Sequence, residues 1–330
     1  MKRIITADTH LSLYANDKLK KGIGQRLYDI LAMLDIIAKF ATKHKIEEID
    51  ILGDVFNDKD IIYTKSMVLL TKFFARYAKI EFKLMTGNHD LDNTSDEQLS
   101  ILESIEAPNV ECINEKKVVD NITYIPYSKN VVQEVMSASP NDILLSHFGL
   151  NEGILNSGIS MVSDIGIKDL RHFKFVILGH YHNAQEMTNG KTDVCYVGSP
   201  IQKDWGEKHQ DKRFMVLDNE EMKVESVPLT GYTRYIELVI EEAEQAKEVL
   251  AKCQELKDEG NHVRIKNKSD KKMNEVGVQI IEEVDIDPTN RGILLSMSFE
   301  EKVKKYMDIK EIPVQDRERY MKILTQTLGL

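Results

Sequence analysis

Cysteine is scarce in this chain, and the three present (Cys112, Cys195 and Cys253) are scattered and odd in number. Their placement excludes a disulfide framework and a Cys-x-x-Cys metal knot. No apolar run approaches the roughly 20 residues that span a bilayer. The start, MKRIITADTH, reaches Asp8 before an apolar stretch of signal-peptide length develops, so a cytoplasmic location is expected. A basic excess is missing too, because the formal net charge is −10. That argues against a module held to nucleic acid by bulk attraction to phosphate. It leaves room for an enzyme that acts on nucleic acid with the help of bound divalent cations and local basic stretches. Internal repeats and low-complexity tracts are absent, and 330 residues suggest two or three units.

What the chain has in quantity is apolar runs that stop at polar residues. RIITAD, IDILGD, EFKLMTGN, DILLSH, KFVILGH and DVCYVGSP read as strands, with shorter ones at 110–113 and 122–125. Between them, Leu27, Leu31, Leu34, Ala38 and Ala41 mark a helix over 26–44, and Met67, Leu70, Phe74 and Tyr77 mark another. Thr94 and Glu97 fit a capping box opening a helix through Ile105. FMVLDNEEMKVESV reads as a hairpin turning at Asp218–Asn219 and ending before Pro228. Strands alternating with helices predict an α/β fold. After Pro228 come a strand (TRYIELVI), a charged helix, a strand (HVRIK) and, from Ser298, two short helices separated by Ile312–Pro313. Ser298 and Glu301 fit a second capping box. The expected division is 1–228, 229–297 and 298–330.

The polar residues sit where the apolar runs end. TADTH gives Asp8 and His10, two apart and so on one face of an extended chain. ILGD gives Asp54, TGNHD gives Asn88, His89 and Asp90, LLSH gives His147, and GHYH gives His180 and His182. Open α/β sheets bind ligands beyond the carboxyl ends of their strands, where these side chains would converge. Carboxylate, imidazole and amide oxygen without thiolate suit manganese, iron or zinc. Such a set is too large for one catalytic ion with open positions. Two ions sharing one carboxylate, roughly 3.5–4 Å apart, would account for it and could clamp an in-line displacement at phosphorus. His44, His172, His209 and His262 have no such setting and read as surface or packing residues.

The ordered set DTH, GDVF, GNHD, SH and GHYH resembles the calcineurin-like metallophosphoesterase superfamily. Within it, YVGSPIQKDWGE and the layout after residue 229 resemble the nuclease subunit of the double-strand-break repair nuclease–ATPase complex. That group includes the SbcD-like and phage recombination nucleases. The motif resemblance covers about residues 1–218. It implies a sandwich of two mixed sheets flanked by helices, a small α+β capping domain that contacts DNA, and C-terminal helices. It also implies one metal held by Asp8, His10, Asp54 and His182. The second would be held by Asp54, Asn88, His147 and His180, with Asp54 as the bridge and manganese the expected ion ahead of magnesium, iron or zinc. His89 becomes the non-ligand acting at the scissile phosphate, and Gly87 the hinge that delivers Asn88 and His89. Asp90 either orients a neighbour or shapes the turn.

The same resemblance implies a DNA nuclease, trimming duplex ends 3′→5′ and nicking single strands. It further implies a coiled-coil ABC-type ATPase partner and a homodimer within a heterotetramer. Phe299, Val303, Tyr306 and Met307, then Tyr320, Ile323, Leu324 and Leu328, form the stripes expected to grip that partner. Lys18, Lys20 and Lys21 are expected to touch the DNA backbone, and Lys203, Lys208, Lys212 and Arg213 form a second basic patch. Ser12 departs from the pattern, which often has Gly after DTHL. A stand-alone phosphatase or phosphodiesterase and a non-enzymatic metal-binding scaffold are the alternatives.

Overall fold

Five-residue strands with mostly buried side chains form the middle of each sheet. The computed structural model describes residues 1–14, 17–59, 61–92, 99–155, 163–269, 271, 273, 277–282, 299–309, 312–313, 317 and 319–321. The chain runs β1 (Lys2–Thr6), a short hairpin β2–β3 (Leu19–Lys20, Ile23–Gly24), α1 (Gln25–His44), β4 (Glu48–Leu52), α2 (Thr64–Arg76) and β5 (Glu81–Met85). Then come β6 (Val110–Ile113), β7 (Lys117–Val119), β8 (Ile122–Ile125), α3 (Val131–Met136) and β9 (Ile143–His147). β10 (Phe175–Gly179), β11 (Gln185–Thr188), β12 (Asp193–Tyr196) and the hairpin β13–β14 (Lys212–Asp218, Lys223–Leu229) follow. β15 (Tyr235–Ile240), α4 (Ala246–Asp258), β16 (His262–Asn267), β17 (Gln279–Glu282) and α5 (Phe299–Ile309) come last.

Two six-stranded mixed sheets result, in the orders β14-β13-β1-β4-β5-β6 and β11-β12-β10-β9-β8-β7. In the first, β1, β4, β5 and β6 are parallel and the β13–β14 hairpin joins antiparallel. In the second, β8, β9, β10 and β12 are parallel, with antiparallel edges at β7 and β11. The period-2 alternation of strand side chains divides the core. Ile4, Ile49, Ile51 and Leu84 pack with Leu27, Ile30, Leu34, Leu70 and Phe74 of the helices. Ile5, Leu52 and Met85 instead pack with Ile143, Leu145 and Ile177 of the second sheet. Leu144, Val176 and Leu178 cover that sheet's other face with Val131, Val135, Phe148 and Phe173. This is the α/β sandwich of two mixed sheets flanked by helices that the resemblance implied. Parallel strands covered on both faces explain the near-continuous apolar runs.

One polar bolt crosses the inter-sheet core. Arg3 Nη1 donates to Asp50 Oδ2 at 3.2 Å and lies 2.8 Å from Glu48 Oε2, while Tyr124 Oη, on the second sheet, donates to Asp50 Oδ2 at 2.9 Å. Arg3 and Asp50 are almost fully buried.

Two local expectations change. The helix expected through Ile105 is, among the described residues, a 3₁₀ turn at Ile101–Ser104. Ser100 is itself extended and bridges to Leu91; Thr94 and Glu97 lie outside the described residues. Pro228 lies within β14 rather than after it, which an edge strand tolerates.

The chain divides into two compact units, Met1–Leu238 with Leu250–Arg264, and Val239–Val249 with Ile265–Leu330. β15, β16 and β17 form a three-stranded sheet. Among the described residues, no helix is long and apolar enough to cross a membrane.

Candidate metal centre

The sequence places its donors at the last residue of a strand (His147) or one to four residues beyond a strand end, and four of them have left-handed backbone. Asp8 (φ 54°), His10 (φ 45°), Asp54 (φ 52°) and His180 (φ 97°) all occupy a region that non-glycine residues seldom adopt. Asp8 and His10 therefore reach one side through two left-handed residues, not through the extended chain expected from their spacing. Such conformations cost on the order of 1–3 kcal/mol each and persist where neighbours over-determine them. Here Asp8 N–H donates to the Gly53 carbonyl (3.1 Å), His10 N–H to that of Asp54 (2.8 Å) and Leu11 N–H to that of Val55 (2.8 Å).

Two glycines permit the close approach. Gly53 has φ 79°, and a Cβ there would collide with His147 Nδ1. A Cβ on Gly87 would fall on the Asp54 backbone nitrogen and Oδ1. Gly87 thus serves by contact with Asp54. Asp90 ties the same loops together: its carboxylate accepts from the backbone N–H groups of Gly87 (2.9 Å), Phe56 (3.0 Å) and Val55 (3.2 Å). Burial, then the nearby Asp54 charge, raises its carboxyl to about 7 against those three donors. Ser12, where glycine was expected, is buried and donates from Oγ to Asp58 Oδ2 at 2.6 Å.

The donors gather on two sides of Asp54. Its Oδ2 lies 3.4 Å from His10 Nε2, which is 3.1 Å from His182 Nε2 and 4.0 Å from Asp8 Oδ1. Its Oδ1 lies 3.4 Å from His147 Nε2, which is 3.1 Å from Asn88 Oδ1; that oxygen is 3.0 Å from His180 Nδ1. Asp8 Oδ1 and Oδ2 accept the His180 backbone N–H at 3.0 and 3.1 Å, linking the sides. Three groupings have donor atoms within 4.8 Å of one another: Asp8–His10–His182, His10–Asp54–His89 and Asp8–Asp54–His147. All seven expected ligands are thus brought together, and His89 lies among them with its ring 4.8 Å from that of His10.

Hydrogen-bond partners fix the imidazole tautomers. His147 Nδ1–H donates to the Leu52 carbonyl at 2.8 Å, so Nε2 is the nitrogen that offers a lone pair when the ring is neutral. His182 Nδ1–H donates to Glu207 Oε1 at 2.8 Å, with the same consequence. Once its second proton is released, His147 Nε2 presents a lone pair beside Asn88 Oδ1 and Asp54 Oδ1, and His182 Nε2 stands 3.1 Å from His10 Nε2. His10 Nδ1 is buried without a hydrogen-bond partner. Convergent lone pairs on oxygen and nitrogen are what divalent cations satisfy, so this donor set fits two of them.

The electrostatics follow from that crowding. Burial works to raise Asp54, but the His147, His10 and His89 imidazoles outweigh it and hold the carboxyl well below its ordinary range. Burial likewise works to lower His147, but the Asp54 charge raises it to about 9. Asp8 is raised, chiefly by burial. Burial and the neighbouring His147 bring His180 down to about 3.

Glu207 was not foreseen as part of this centre, although it belongs to the KDWGE segment. Its Oε2 accepts from Lys212 Nζ at 2.6 Å, and both side chains are 1% exposed. Lys212 Nζ also donates to Ser199 Oγ (2.9 Å) and the His182 carbonyl (3.0 Å). The second basic patch therefore does not form. Lys212 is internal, Lys208 pairs with Glu237, and Arg213 pairs with Glu186 at 2.6 Å. Lys203 is buried as well, with Nζ 3.1 Å from His182 Nε2; burial brings it down to about 8. Lys18 and Lys21 are exposed, whereas Lys20 pairs with buried Asp29 at 2.9 Å. Tyr306 and Tyr320 are half-exposed and Met307 is buried; Ile323, Leu324 and Leu328 lie outside the described residues.

The centre opens into a cavity of about 260 Å³ lined by His10, Asp54, Asn88, His89, His180, His182 and Lys203, with Tyr14 and Arg26. A larger cavity of about 550 Å³, lined by Phe175, Met187, Cys195 and Met215 among others, shares none of its residues.

The chain is similar to known proteins to differing extents. Residues 1–184 match the family model described as calcineurin-like phosphoesterase. The chain is 26% identical over 259 residues to the SbcD component of nuclease SbcCD from Staphylococcus epidermidis, covering 67% of this chain and 66% of that protein. It thus spans just under two thirds of that relative's length. Among solved structures it is similar to a dimetal phosphatase from Danio rerio (9% identity, 69% of this chain, 99% of the other, TM-score 0.43). It is also similar to an archaeal phosphodiesterase (14%, 69%, 100%, TM-score 0.37) and to nuclease MPE of Pseudomonas putida (13%, 68%, 87%, TM-score 0.33).

Proposed function

Because the chain belongs to the calcineurin-like phosphoesterase family, we propose that this phosphoester hydrolase is a metal-dependent DNA nuclease with a two-cation centre. The observation that carries the reading is the Asp54 carboxylate, whose two oxygens each stand 3.4 Å from a different imidazole, in different donor groups. Asp8, His10, Asp54 and His182 would hold one ion, and Asp54, Asn88, His147 and His180 the other, with manganese the first choice. When bound, the pair supplies the positive charge and Lewis acidity for in-line displacement at phosphorus.

The chain's own residues do the rest. His89 Nδ1–H donates to the Asn57 carbonyl at 2.6 Å, which orients the ring with Nε2 available to the cavity. From there, a protonated His89 donates to the leaving oxygen of a diester, or to the developing charge on its phosphate. Lys203 adds a cation to the same wall. Nuclease rather than phosphatase is favoured by the 26% relative and by the YVGSPIQKDWGE segment, whose Glu207 and Lys203 both serve the centre. On that reading the protein works in DNA recombination and repair in the cytoplasm, as a dimer with a coiled-coil ATPase. The sequence from 229 to 297 would cap the DNA, and α5 with the segment to 330 would contact the ATPase.

The test is incubation of the chain, with manganese, on 3′-end-labelled linear duplex and on circular single-stranded DNA, beside p-nitrophenyl phosphate. Loss of 3′ label and nicking of the circle are expected, and both vanish in His89→Ser while bound manganese stays at the wild-type level. Hydrolysis of the monoester alone, with both DNAs intact, would replace the nuclease reading with a phosphatase.

A further inference from the structure

The donor-lined cavity has one charged wall that neither ligand set uses. Arg26 stands at the start of α1 and lines the cavity with Tyr14. Its guanidinium lies 3.7 Å from the centre of the Tyr14 ring. Nε donates to Asp17 Oδ1 at 2.7 Å, and the Arg26 backbone N–H donates to Asp17 Oδ2 at 2.9 Å. Nη1 reaches the Lys203 carbonyl at 3.4 Å. Tyr14 is anchored in turn, its hydroxyl donating to the His10 carbonyl at 3.0 Å. The guanidinium is therefore held against the loops that carry His10 and Lys203.

Arg26 and Asp17 do not form the common fork-on-fork ion pair. That pair places both carboxylate oxygens on the guanidinium. Here Asp17 gives one oxygen to a backbone N–H and one to Nε, and of the terminal nitrogens Nη1 reaches only the Lys203 carbonyl, at 3.4 Å. Nη2 has no protein partner among the described residues. An immobilised guanidinium with a free edge, beside a site built for a phosphodiester, matches a second phosphate in charge and geometry.

We propose that Arg26 binds a phosphate flanking the scissile diester. The site would then favour a nucleic-acid strand, which carries a phosphate on each neighbouring nucleotide, over an ester with one phosphate. This rests on the nuclease reading above. A phosphate at Arg26 fixes the strand's register, so the scissile group arrives at the centre without a search.

The experiment is a double cycle. One perturbation is Arg26→Gln, with Arg26→Lys as the variant that keeps the charge but loses the fork. The other is a single neutral methylphosphonate walked along either side of the cleaved bond in a short oligodeoxynucleotide. For the wild type, one flanking position should lower kcat/KM by tenfold or more. In Arg26→Gln the oligonucleotide rate should fall at least tenfold further than the rate on bis(p-nitrophenyl) phosphate, and the methylphosphonate should no longer matter. Arg26→Lys should fall between. If the two perturbations multiply independently, or if Arg26→Gln lowers both substrates equally, Arg26 does not contact that phosphate. If the wild type hydrolyses the small diester but no oligonucleotide, the nuclease reading falls and this assignment with it.

Discussion

Replacing Glu207 with Gln removes one carboxylate that serves four neighbours, Ser199 Oγ (3.2 Å) and the Lys203 backbone N–H (3.3 Å) beside the two closest. Oε1 accepts from His182 Nδ1–H at 2.8 Å and Oε2 from Lys212 Nζ at 2.6 Å. Burial pushes against ionisation there, yet the His182 hydrogen bond and the Lys212 charge hold the carboxyl at about 2 rather than its ordinary 4.5. At 1.36 kcal/mol per tenfold, the difference is worth about 3 kcal/mol of folding stability at neutral pH. With the folded pKa depressed, that stability is fully present above about pH 4.5 and drains away as pH falls toward 2. Glu207→Gln should therefore cost about 3 kcal/mol, a value in line with stranding a buried ammonium. It should also loosen the His182 tautomer and weaken metal affinity by about 10–100-fold. The double variant Glu207→Gln/Lys212→Met separates the effects, because removing both charges of a buried pair is often close to neutral for stability. Urea unfolding of metal-free protein should show most of the loss recovered, while manganese titration calorimetry shows affinity still reduced. Full recovery of affinity together with stability would mean that Glu207 acts only as a structural prop.

Two further outcomes are expected. Tyr124→Phe removes the hydroxyl that joins Asp50 and Arg3 across the sheets, which should cost about 1–3 kcal/mol in urea unfolding. Manganese affinity should not change, since Arg3, Asp50 and Tyr124 lie within their strands and hydrogen-bond to none of the expected ligands; a parallel loss of affinity would contradict this separation. In the cation-free protein His147 holds its proton up to about pH 9, because the Asp54 charge outweighs burial. Metal must displace that proton, so apparent affinity should rise about tenfold per pH unit from 6 toward 9 and then level. Calorimetry in buffers of different ionisation enthalpy checks this, and affinity that is flat over pH 6–8 would refute it.

Much of this centre was legible because strands and donors use different alphabets. Runs such as IDIL and FVIL specify buried parallel strands, and a polar residue directly after one must sit at a sheet edge. The donors thus declared themselves, and so did the hairpin turn at Asp218–Asn219. The supporting residues did not. Lys212 reads as surface because lysine in a strand normally is; only the tertiary placement of Glu207 makes its burial tolerable. Arg3 is hidden in the same way by Glu48 and Asp50. The left-handed backbone at Asp8, His10 and Asp54 has no sequence signal, because it is imposed by hydrogen bonds between two strand ends. The helix expected through Ile105 yielded to a bridge between Leu91 and Ser100 that periodicity does not reveal.

The sharing of Asp54 is tested most directly by counting metal. Wild-type chain and Asp54→Asn should be saturated with manganese, freed of excess by gel filtration and assayed by elemental analysis. The account predicts two ions per wild-type chain and depletion of both in the variant. A wild type that saturates at one ion, or a variant that keeps one site full and loses only the other, would contradict it.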